Sequence, residues 1–139
     1  MMAPLQIKRV EDCMDWLEKS SQDYTASQSI SWLIDQLGLL CNSMAFVNNQ
    51  MAIAKRELNI KKTKSYYSLV ASSAATQRYF APSLAKDFIN SQCEKEVYDY
   101  DICERCSRTI LHTLEALRTC ISALKEENKV MNYTGNVNN

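Results

Sequence analysis

Ile30, Leu37, Met44, Met51 and Leu58 recur every seven residues, and Leu33, Leu40, Val47 and Ala54 sit three residues after the first four of them. A strand alternates faces every second residue and cannot present this series to one side. A helix can, and apolar positions separated by three and four form the seam of a coiled coil or a long bundle. The chain has two glycines and two prolines in 139 residues, so little interrupts such a helix.

Three helices follow from the spacing. The first covers about residues 6–19, with Ile7, Val10, Met14 and Leu17 on one face. The serine-rich stretch from Ser20 to Ser29 reads as a connector. The second covers about residues 28–70, its last turns leaving the seam at Lys61 and Ser65. Residues 71–82 form a turn ending at Pro82, which disfavours helix at Ala81. Ser83 then serves as N-cap, with Asp87 in the first turn. The third helix covers about residues 84–127 on a seam of Cys103, Ser107, Ile110, Leu114, Leu117, Ile121 and Leu124. Residues 128–139, with five asparagines, read as a flexible polar tail. The expected fold is all-α: one domain over residues 1–127, with a short N-terminal helix and a long antiparallel, coiled-coil-like hairpin. Its two long helices would each extend about 65 Å. With residue numbers that face each other summing to about 153, Arg118 meets Asp35, and Lys61, Lys62 and Lys64 meet Gln92, Ser91 and Ile89.

The chain is neutral, with sixteen basic and sixteen acidic residues, but the charges are segregated. Residues 55–86 hold seven basic residues and one acidic, and residues 87–104 hold one basic and six acidic. Lys55, Arg56, Lys61, Lys62 and Lys64 run into Tyr66 and Tyr67, with Arg78, Tyr79 and Phe80 beyond. Lysines offer phosphates mobile charge, and tyrosines offer unpaired bases a stacking face. These residues are the candidate contacts for single-stranded nucleic acid. The plainer reading is that the acidic run 94–104 neutralises the block, and the expected register confines that to Lys55 and Arg56. Trp16, Trp32 and Phe46 fall off the main seam and are candidates for a self-association interface.

No constellation suggests an enzyme, a cofactor or a metal. Cys103 and Cys106, with Cys93 and His112, are spread along one expected helix and do not converge on one ion. Asp99 and Asp101 point to different sides of it. No run approaches 18 apolar residues, so no membrane span is expected. No secretory signal opens the chain, so the six cysteines read as reduced thiols and the expected location is the cytoplasm.

The order of these features resembles the UvsY family, the helical recombination mediators of T-even-type phages. The matching segments are Ala54-Lys55-Arg56-Glu57-Leu58, the lysine run, Tyr66-Tyr67, a break, and a helix ending Leu114-Glu115-Ala116-Leu117-Arg118-Thr119-Cys120-Ile121-Ser122-Ala123-Leu124-Lys125. The resemblance spans about residues 30–125 and implies a ring-like homo-oligomer in the host cytoplasm that binds single-stranded DNA. It further implies loading of a RecA-like recombinase onto DNA covered by single-strand-binding protein. By position, Lys55, Arg56, Lys61, Lys62 and Lys64 would fall in the family's DNA-contacting helix region. The chain departs from that pattern in its acidic run 94–104 and its six cysteines. The alternative function is a non-enzymatic helical adaptor or inhibitor of another protein, such as a phage host-takeover or anti-defence factor.

Overall fold

The computed structural model describes residues 4–25, 28–76, 79 and 81–137, the last two of them by backbone alone. Among the described residues the chain is all-helical: α1 Ile7–Ser20, a single 3-10 turn at Ser21–Asp23, α2 Ile30–Thr76, α3 Pro82–Gln92 and α4 Glu94–Val137.

Local chemistry sets the helix ends. Ser29 caps α2, its hydroxyl oxygen accepting the Trp32 N–H at 3.1 Å. Pro82 occupies the first turn of α3 behind an extended Ala81. Its missing N–H and fixed φ cost nothing there, so Ala81 takes the capping position expected of Ser83. The backbone N–H of Gln6 donates to Gln50 Oε1 at 2.6 Å, tying the start of α1 to the middle of α2. Gln50 is 1% exposed, and this bond gives its carbonyl the partner a buried polar group needs.

The core is one cluster. Leu33, Leu40, Val47 and Ala54 of α2 meet Cys103, Cys106, Ile110, Leu114, Leu117 and Ile121 of α4, with Val10 and Leu17 of α1 laid over them. Ile30, Leu37, Met44 and Met51 pack half-buried at its edge. Of the expected α4 seam, Ser107 is only half-buried and donates instead to Asn48 Oδ1 at 2.7 Å. Leu124 is likewise half-buried. Cys106, one residue earlier than Ser107, takes the buried place beside α1.

Four expectations about the helices need correction. Residues 71–76 continue α2, so the turn is shorter than expected. The third helix is two helices that break at Cys93, where φ is −108° and ψ 21°. Cys93 itself is fully buried, its thiol 3.9 Å from the Ser65 hydroxyl. Its N–H is shared between the carbonyls of Ile89 and Asn90, and its carbonyl accepts the Val97 N–H at 2.8 Å. Ser65 and Leu69 are buried, so α2 remains covered well beyond Lys61. Finally, α4 continues to Val137 through the segment expected to be a tail, with residues 128–135 exposed.

Facing residues fall in number along α3 and α4 as they rise along α2: Asn48 bonds Ser107 and Ser65 meets Cys93. Both pairs are shifted from the expected register, by two and five residues. Asp35 makes no ion pair with Arg118 or any other described residue. By length and composition α2 also passes the test for a membrane-crossing helix, with a mean hydropathy of 1.3 over its best 18-residue window. Counting unbroken apolar runs missed this, because isolated polar residues such as Asp35 interrupt the run without lowering the average much. Only 17% of that window is buried inside the chain.

Candidate nucleic-acid interface

Helical spacing divides the basic block between two faces of α2. Ala52, Lys55, Arg56, Asn59, Ile60, Thr63, Lys64 and Tyr67 recur at three and four residues and line one open groove of about 700 Å³. Its floor is apolar where Ala52 and Ile60 lie, and its rim is cationic. Lys62 and Tyr66 point elsewhere, into a cleft of about 450 Å³ against α3, lined also by Pro82, Ala85, Lys86, Ile89 and Asn90. Lys86 was not among the candidates from sequence. It brings a second cation to Lys62 only because α3 folds back on α2.

Lys55, Lys61, Lys62 and Lys64 make no ion pair or side-chain hydrogen bond among the described residues. Arg56 is engaged within the chain. Two of the five carboxylates in the acidic run pair with cations of their own helix. Lys95 Nζ lies 2.8 Å from Asp99 Oδ2, and Arg108 pairs with Glu104. Lys95 is held protonated above its usual range, first by the hydrogen bond to Asp99 and then by that residue's charge, with Glu57 of α2 a smaller contributor. Tyr98 donates its hydroxyl to Glu11 of α1 at 3.1 Å, which raises its pKa.

Tyr66 and Tyr67 stand beside the lysines with their rings 6.2 Å apart and steeply tilted, 54% and 68% exposed. Tyr79 is more exposed still. Arg78 and Phe80 lie outside the described residues. The three aromatics considered for self-association have partners within the chain. The Arg9 guanidinium lies 4.0 Å over the Phe46 ring, and Trp16 shares a cleft with both. Trp32 packs against Tyr24 at 5.8 Å. All three are half-buried against the core.

The six cysteines are free thiols. Cys13 of α1 accepts a hydrogen bond from Cys106 and a weaker one from Ser43, and its pKa falls to about 7 despite partial burial. Cys106 is correspondingly pushed up, by that bond and by burial. Burial, then the charge of Asp99, lifts Cys103 to about 11. Among the described residues no three His, Cys, Asp or Glu side chains are grouped so as to hold a metal ion. His112 is exposed, 3.8 Å from Glu115.

These features combine uncommitted ammonium groups with exposed aromatic rings on the stretch of α2 that lies along α3. No family model matches this chain, and neither a curated protein nor a solved structure matches it.

Proposed function

We propose that this protein binds single-stranded nucleic acid, without enzymatic activity, through the lysines and tyrosines at the α2–α3 end. In this reading it acts as a recombination mediator or accessory factor that helps a RecA-like recombinase load onto DNA occupied by single-strand-binding protein. The observation that carries the proposal is the state of Lys61, Lys62 and Lys64. They are charged, uncommitted to any carboxylate among the described residues, and next to Tyr66 and Tyr67. A phosphate backbone supplies the missing anions, and unstacked bases supply partners for the rings. Nothing in such a site reads base edges, so binding is insensitive to sequence.

The mediator role rests on the resemblance to the UvsY family, and so do the host cytoplasm, the recombinase and the single-strand-binding protein as partners. The antiparallel, coiled-coil-like hairpin and the homo-oligomer belong to the same proposal. The second reading, a helical adaptor or inhibitor of another protein, is favoured by the apolar length of α2 left unburied within the chain.

Fluorescence anisotropy with a labelled oligodeoxynucleotide separates the two. Micromolar or tighter binding to single strands at low salt, weaker for the duplex and falling steeply as salt rises, supports the first. Absence of binding at low salt hands the chain to the second.

A further inference from the structure

Cys13 and Cys106 are far apart in the chain and meet where α1 lies on α4. Cys106 is fully buried, in the core cluster that also holds Val10 and Leu17. Cys13 is half-buried and packs against that cluster. Its sulfur accepts hydrogen bonds from Cys106 of α4 and Ser43 of α2. A cleft of about 360 Å³ opens in front of it, lined also by Arg9, Asp12, Trp16 and Phe46. Asp12 is paired with Lys8 at 3.1 Å, whereas Arg9 has no ion pair among the described residues. One thiol of the pair therefore faces solvent through a cationic cleft, and the other is sealed behind it. The remaining thiols stand differently. Cys41 is exposed, Cys93 meets Ser65, Cys103 is held protonated by burial, and Cys120 lines another cleft beside His112.

We propose that Cys13 and Cys106 are a peroxide-reactive thiol pair, Cys13 attacking and Cys106 resolving, and that the disulfide they form staples α1 to α4. In the first step the Cys13 thiolate attacks one oxygen of hydrogen peroxide. An S–O bond forms, the O–O bond breaks, and the departing hydroxide, favoured by the Arg9 charge, takes up the proton that Cys13 gave to solvent. Cys13 is then a sulfenic acid. In the second step the Cys106 sulfur attacks the Cys13 sulfur. The S–S bond forms, the S–O bond breaks, and the hydroxyl leaves with the Cys106 proton as a second water. Two thiols give up two electrons, and one peroxide becomes two waters.

The arrangement orders these steps. Cys13 is about half ionised at neutral pH, and the thiolate is the nucleophile. Cys106 keeps its proton, first because it donates to Cys13 and then because it is buried. A sulfenic acid carries no negative charge, so the first step itself weakens the hold on that proton and frees Cys106 to attack. The two sulfurs already share a hydrogen bond, and a slide of α1 closes them to the roughly 2 Å of a disulfide. This inference goes beyond strand binding, whose lysines lie on α2 and α3 and take no part in it.

The test is treatment of the reduced full chain with a few equivalents of hydrogen peroxide, followed by peptide mass spectrometry without reductant. The expected main product is a peptide crosslinked through Cys13 and Cys106, in a chain lighter by two hydrogens and restored by dithiothreitol. The rate of Cys13 loss should rise only about twofold from pH 7 to 9, where a thiol of ordinary pKa rises about 25-fold. In Cys106→Ala, dimedone should trap a sulfenic acid on Cys13 that the wild type does not accumulate. The closed loop is long, so the oxidised chain should show a urea midpoint higher by about 1 M. Disulfides that join other cysteines or two copies of the chain, an unreacted Cys13, or a sulfinic acid at Cys13 with Cys106 still reduced overturns the proposal. So does an oxidised chain no more stable than the reduced one. Should Cys106→Ala lose its helicity by circular dichroism, the wild-type peptide map and pH profile decide alone.

Discussion

Changing Lys61, Lys62 and Lys64 together to alanine tests the strand-binding site quantitatively. The lysines nearest the α2–α3 end are these three and Lys86. If each neutralises one phosphate, the log–log salt slope is about −2.8, at roughly 0.7 per contact on single strands. Affinity then falls about 50-fold between 50 and 200 mM salt. With Lys86 alone the slope is about −0.7 and the fall about threefold over the same range. The slope isolates charge from stacking, because Tyr66 and Tyr67 are untouched and continue to offer roughly 1–3 kcal/mol per stacked base. Folding is not in question. None of the three lysines holds an ion pair among the described residues, and alanine is the better helix former. The measurement is anisotropy of a labelled oligodeoxynucleotide at four or five salt concentrations. A variant whose slope equals that of the wild type would place the phosphate contacts elsewhere and refute the reasoning.

Three further outcomes follow from packing and titration. Leu40→Ala, at a fully buried seam position, is expected to cost about 2–5 kcal/mol in urea unfolding, whereas Leu39→Ala next to it, half-exposed, stays within about 0.5 kcal/mol; equal costs would refute the seam. The Cys103 thiol is raised to about 11, so the unfolded chain loses this proton first, and stability from this group is intact below the ordinary value near 9 and declines as pH rises through 11. Thermal melts between pH 8 and 11 should show that decline, reduced in Cys103→Val. Cys13, lowered to about 7, should react with iodoacetamide with a midpoint near that pH by peptide mass spectrometry. Cys106→Ala removes the donor and should shift the midpoint upward, and an unmoved midpoint would deny the thiol pair.

What could be read from the sequence was whatever depends on the local repeat. The seam of Leu33, Leu40, Val47 and Ala54 is visible because four apolar side chains at heptad spacing admit one common face. Helical spacing pairs Tyr66 with Lys62, four residues earlier, but it also suggests one stripe with Lys55, which instead lines the groove with Lys64 and Tyr67. Apart from the two helices that run on, through residues 71–76 and 128–137, the misses concern contacts between elements. The kink at Cys93 has no proline or glycine to announce it; it accompanies a thiol packed against Ser65, a residue whose polarity suggested that the seam had ended. Lys86 looks isolated in the sequence because its companions, Lys62 and Tyr66, are twenty or more residues away. Phe46 looked uncovered because nothing local reveals that Arg9 lies over its ring.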